Sequence, residues 1–117
     1  MMYNIIKEVD GMVFQLGSAL LDACVLAILQ KEDAYGYKLT QEAKKVMNVS
    51  ESTLYPVLRR LMKEGYLETY DQEYQGRNRR YYRLTNSGRV KCQYYIAEWE
   101  LFSKNVETIL KGGSEND

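Results

Sequence analysis

At 117 residues, 45% hydrophobic and 27% charged, the chain has the make-up of one globular domain and is too short to bury two cores. Sixteen basic and sixteen acidic side chains cancel, which excludes a generic polycation. The lack of any histidine excludes Ser-His and Cys-His nucleophile pairs and the usual zinc-finger ligand sets. There is no GxGxxG and no P-loop pattern, so no enzyme, cofactor or metal site is expected. Cys24 and Cys92 lie far apart and outside any CxxC, which fits a reduced compartment. No apolar run approaches the roughly 20 residues of a membrane span, and no signal-peptide pattern opens the chain. The expectation is a cytoplasmic protein with no membrane partner.

The chain divides by pattern. Residues 1–17 form an amphipathic segment, with Ile5, Ile6, Val9, Met12, Val13 and Leu16 on one helical stripe. Residues 18–85 make a compact domain. Within it, Ser18 caps a helix that is apolar almost all round from Ala19 to Gln30 and carries one charge, Asp22. Asp33 is placed to cap a second helix, from about Ala34 to Val46, with Leu39, Ala43, Val46 and Met47 on one face. Ser50 or Ser52 caps a third, in which Leu54, Val57, Leu58, Leu61 and Met62 recur at the spacing of a buried stripe. Pro56 favours a start near Ser52 or a slight bend, and Gly65 ends the helix. The period then changes to two. Tyr66 to Asp71 and Arg79 to Leu84 read as a hairpin with a long basic tip around Gln75-Gly76-Arg77-Asn78. Residues 86–111 form a last helix with the stripe Cys92, Tyr95, Ile96, Trp99, Phe102, Val106, Ile109 and Leu110, and 112–117 is a disordered polar tail.

The charge is unevenly placed. From Tyr74 to Ala97 there is no Asp or Glu, while Arg77, Arg79, Arg80, Arg83, Arg89 and Lys91 are present; the acids gather at the C-terminal end. The third helix carries hydroxyls and cations opposite its apolar stripe: Ser52, Tyr55, Arg59, Arg60 and Lys63. Such a face suits phosphates and base edges, although a solvated basic face is the commoner meaning of an isolated helix like this one. Three helices, a hairpin and a further helix give the winged helix–turn–helix order, and in that order the third helix enters the major groove. The fold class is therefore mainly α with a small β-hairpin (α+β), with N-terminal and C-terminal dimerisation helices.

The chain resembles the PadR family of bacterial transcription regulators. The residues that carry the likeness are Tyr35-Gly36-Tyr37, Ser52-Thr53-Leu54-Tyr55-Pro56, Leu58, Arg60-Leu61, Glu64-Gly65, Gly76-Arg77, Arg80 through Thr85, and Gly88. The resemblance implies a homodimeric repressor of the short branch, joined through its C-terminal helix by Tyr95, Trp99, Phe102, Val106 and Ile109. It also implies a place at the dimer centre for a small planar aromatic or cationic ligand, against Trp99. Two features depart from the family pattern. Ser52 stands where many members have glycine or alanine, and the segment before Leu16 is longer than in minimal members, long enough to fill or reshape a central cavity.

The functional expectation is a regulator, most simply a repressor, that binds an inverted repeat in double-stranded DNA. Ser52, Thr53, Tyr55 and Arg59 are assigned to bases, and Arg60, Lys63, Arg77, Arg79 and Arg80 to phosphates, the three wing arginines being taken as free of acidic neighbours. A small aromatic ligand at the dimer centre that releases the protein from its operator would add a sensor function. The alternative is a winged-helix protein–protein adaptor that binds no DNA.

Overall fold

The computed structural model describes residues 17–112, so the stripe from Ile5 to Leu16 and the acidic tail lie outside the described residues. The elements in chain order are α1 (Ser18–Lys31), β1 (Ala34–Tyr35), α2 (Gly36–Lys44), α3 (Glu51–Lys63), β2 (Leu67–Tyr74), β3 (Arg77–Leu84) and α4 (Asn86–Leu110). The strands form one antiparallel sheet in the order β1-β3-β2. This is the expected α+β architecture, with three differences in its parts.

The first is β1. Ala34 and Tyr35, expected at the start of a helix, pair instead with Tyr82 and Tyr81 of β3. The short strand satisfies the backbone of the inner wing edge, and α2 starts only at Gly36. Asp33 therefore caps no helix; it accepts a hydrogen bond from the Tyr70 hydroxyl at 2.8 Å. The second is α1. Its inner stripe of Leu21, Val25, Leu26 and Leu29 is buried, but Ala19 and Ala27 are exposed and Leu20, Ala23 and Cys24 are half-covered, so it is not buried all round. Ser18 is its first helical residue, with Gly17 in the cap position. Val46, expected on the inner face of α2, lies beyond that helix and is exposed. The third is the hairpin tip. The strands run on to Tyr74 and Arg77, leaving only Gln75 and Gly76 in the turn. Both have positive φ, 51° and 78°, as the two central residues of a type I′ turn require.

The core sits where α1, α2, α3 and the inner sheet face meet. Leu54, Leu58 and Leu61 of α3 are fully buried there, each contributing about 1.5–3 kcal/mol. Ser50 caps α3, its Oγ accepting from the Thr53 N–H at 3.3 Å. Pro56 is inside the helix, where it leaves the Ser52 carbonyl without its usual i+4 donor. Gly65 ends the helix with φ 86°, and the Gly65 carbonyl accepts from the hydroxyls of Thr85 and Ser87, which fastens the α3 exit to the start of α4. Only the first turns of α4 are buried, at Gly88 and Cys92. Tyr95 still packs at the core edge, and the C-terminal part of α4 projects from the domain, with a radius of gyration of 17.2 Å against about 13 Å for a compact domain of this length.

Candidate nucleic-acid interface

The outward face of α3 is set by the inward one. With Leu54, Leu58 and Leu61 fixed in the core, Ser52, Pro56, Arg59 and Lys63 are exposed on the opposite side. Hydroxyls cluster at its N-terminus, with Ser50 Oγ 2.8 Å from Ser52 Oγ and 3.3 Å from Thr53 Oγ1. Arg59 and Lys63 make no hydrogen bond or ion pair among the described residues. In the sequence Pro56 is an obstacle to the helix and carries no sign of a surface role. Its exposure between Ser52 and Arg59 puts an apolar ring in the middle of this face.

Two residues assigned to that face from the sequence are held elsewhere. Arg60 Nη2 donates to Asp22 Oδ1 at 2.6 Å and Nη1 to Glu64 Oε1 at 3.5 Å. Asp22 is only 5% exposed, so the one acid of α1 is a buried carboxylate anchored by α3. That hydrogen bond is the main cause of the raised Arg60 pKa. Tyr55 is half-buried, its ring over Gly36; a Cβ at residue 36 would stand 2.8 Å from Tyr55 Cε1. Burial first, and the Glu51 charge second, push the Tyr55 hydroxyl up.

The wing arginines likewise separate. The stretch 74–97 lacks acids along the chain, but β2 supplies them across the hairpin. Arg80 pairs with Asp71 at 3.4 Å, and Arg83 with Glu68 at 3.0 Å. The two-residue turn dictates both pairings, since it sets Asp71 opposite Arg80 and Glu68 opposite Arg83. Reading a longer tip hid that register. Arg79 lies between the rings of Tyr35 and Tyr74, 4.2 and 4.0 Å from their centroids. Arg77 at the tip is exposed and has no ion pair or ring contact among the described residues.

Along α4, Trp99, Phe102 and Ile109 are exposed, Val106 is half-covered, and Tyr95 packs at the edge of the core. The Trp99 and Phe102 rings are 6.1 Å apart. An open groove of about 410 Å³ runs between α1 and α4, lined by Leu20, Ala23, Cys24, Tyr95 and Trp99 among others. Burial raises the pKa of both cysteine thiols, which are free. Among the described residues no group of His, Cys, Asp or Glu is arranged to hold a metal, and no helix is long and apolar enough to cross a membrane.

Residues 25–94 match the transcriptional regulator PadR-like family. A solved structure from Streptococcus mutans UA159 is 42% identical, with a TM-score of 0.82 over 91% of this chain and 100% of the other. A PadR-like transcriptional regulator from Bacillus cereus is 32% identical, with a TM-score of 0.76 over 81% of this chain and 95% of the other. An uncharacterized protein of Lysinibacillus sphaericus is 31% identical over 97 residues, 79% of this chain and 89% of its own length.

Proposed function

The chain belongs to the PadR-like family of transcriptional regulators, which are not enzymes, and on that premise we propose that it is a cytoplasmic repressor that binds an inverted-repeat operator as a homodimer. The observation that carries the reading is the outward face of α3, where Ser52, Pro56, Arg59 and Lys63 are exposed and both cations make no hydrogen bond or ion pair among the described residues. Arg59 is the residue there that can fork onto a guanine, the Pro56 ring suits a thymine methyl, and Ser52 can donate or accept. Lys63 and Arg77 go to phosphates, with Thr53 beside the α3 N-terminus and Arg80 exchanging Asp71 for a phosphate. Arg60 leaves the phosphate set because Asp22 holds it, and Tyr55 becomes the support of the helix rather than a base reader.

The projecting part of α4 supports the dimer. Trp99, Leu101, Phe102, Ile109 and Leu110 are each more than 40% exposed, an apolar surface that a small monomer rarely keeps in water. Two-fold pairing of these helices through Tyr95, Trp99, Phe102, Val106 and Ile109 would place two copies of α3 for successive turns of a duplex. A second reading, that a planar aromatic or cationic ligand sits at the dimer centre, is favoured by the apolar groove beside Trp99.

The test is selection of duplexes from a random pool by the full chain, followed by sequencing. Enrichment of an inverted repeat with half-site centres about 10 base pairs, or a multiple of that, apart is expected. Enrichment of nothing, with no retention of duplex at low salt, would favour the adaptor reading.

A further inference from the structure

We propose that Arg79 is a positioning residue that fixes the angle of the wing against the helical core, and that it touches no phosphate. The proposal rests on the DNA-binding reading above and concerns which wing cation does what. Side chains alternate across a strand, so Arg79 and Arg80 point to opposite faces of the sheet. Arg80 shares its face with Tyr82 and Leu84, both buried against the helices. Tyr82 and Leu84 belong to the same buried cluster as Leu54, Leu58 and Leu61, so this is the side of the wing that meets α3. Arg79 is on the other side, turned away from α3.

There it joins a ladder of rings. Tyr74 ends β2 at the wing tip, whereas Tyr35 belongs to β1 and directly precedes α2. The Arg79 guanidinium bridges them, its central carbon 4.0 Å from the Tyr74 ring centroid and 4.2 Å from that of Tyr35. Tyr35 meets the edge of Tyr81 at 5.6 Å, and Tyr81 stacks on Tyr70 at 5.5 Å with planes 13° apart. Tyr70 donates to Asp33 in the α1–β1 connection at 2.8 Å. The ladder thus ties the tip of the wing to the segment that leads into the helix–turn–helix. A two-stranded hairpin alone is marginally stable and free to swing. The ladder removes that freedom before DNA arrives, which lowers the ordering penalty of binding.

The experiment is duplex titration across a salt series with the full chain, comparing Arg79→Ala, Tyr35→Leu, their double variant, and Arg77→Ala. Arg79→Ala and Tyr35→Leu should each weaken binding by about tenfold, and the double variant by little more than either alone. Neither should change the slope of log K against log salt, whereas Arg77→Ala should flatten it by about 0.9. Tyr74→Leu, at a half-exposed ring on the tip that contributes nothing to the core, should weaken binding like Arg79→Ala; it decides the matter if the other variants fold poorly. A slope flattened by about 0.9 in Arg79→Ala would make it a phosphate contact and overturn the proposal. Wild-type affinity in Tyr35→Leu and Tyr74→Leu would overturn it too. Loss of all duplex binding by the wild-type chain would instead remove the DNA-binding reading itself.

Discussion

Removing the guanidinium of Arg60 should damage the fold more than removing the carboxylate of Asp22, although the two form one ion pair. The Asp22 side chain is 8% exposed and the Arg60 side chain 42%. Arg60→Met strands a buried negative charge, and breaking a buried pair in that way costs about 3–5 kcal/mol. Asp22→Asn strands a cation that can still reach water and Glu64, so its loss is about that of a charge-assisted hydrogen bond discounted for exposure, about 1–2 kcal/mol. The double variant Asp22→Leu/Arg60→Met leaves no charge behind and should recover most of the stability lost by Arg60→Met. Urea unfolding at one fixed protomer concentration measures all three, with unchanged slope as the sign that the states compared are the same. The reasoning fails if Asp22→Asn is the more damaging single change, or if Arg60→Met stays within about 0.5 kcal/mol of wild type, the range of an ordinary surface substitution.

Other expectations follow from the same geometry. Arg77→Ala should weaken binding to every duplex alike; a loss confined to one sequence would mean that Arg77 reads bases. Trp99→Ala should lower the dimer fraction or abolish tryptophan-dependent binding of planar aromatic compounds, measured by light scattering and by titration with such compounds; wild-type behaviour in both would remove Trp99 from the account. Burial raises the hydroxyl pKa of Tyr55, Tyr82 and Tyr95. A raised folded-state value means that the native state holds its protons longer, so this stability is intact below about pH 10 and declines above it. The Cys24 and Cys92 thiols, raised by burial, follow the same rule from about pH 8.5. The urea midpoint should therefore be level from about pH 7 to 8, begin to decline as the unfolded thiols titrate and fall further by pH 11; a midpoint that held or rose at pH 11 would contradict the packing described for these rings.

Much of this was legible in the sequence because period and punctuation are local. The stripe from Leu54 to Met62 and the stop at Gly65 place α3, and the stripe from Cys92 to Leu110 places α4. What escaped was non-local. A two-residue strand such as β1 has no period of its own; Ala34 and Tyr35 are extended only because β3 lies beside them. Asp22 looked like the one tolerated charge on an apolar helix, and nothing in its neighbourhood along the chain points to a partner 38 residues away. The wing charges were misjudged for a related reason. Linear spacing from Tyr74 onward shows no acid, but a turn at Gln75-Gly76 brings Asp71 and Glu68 across to Arg80 and Arg83. The sandwich around Arg79 also depends on β1, so the missing strand concealed it as well.

The outward face of α3 as the reader of DNA is tested most directly by Arg59→Ala. Affinities of the wild-type and variant chains are measured at one salt concentration for the selected inverted repeat and for a scrambled duplex of the same length. A guanine fork is worth about 1–3 kcal/mol of discrimination, so the variant should lose about fivefold to about 150-fold on the selected site while its weak binding to the scrambled duplex changes little. An equal fall on both duplexes would make Arg59 a phosphate anchor, and unchanged affinity for both would remove this face of α3 from the interface.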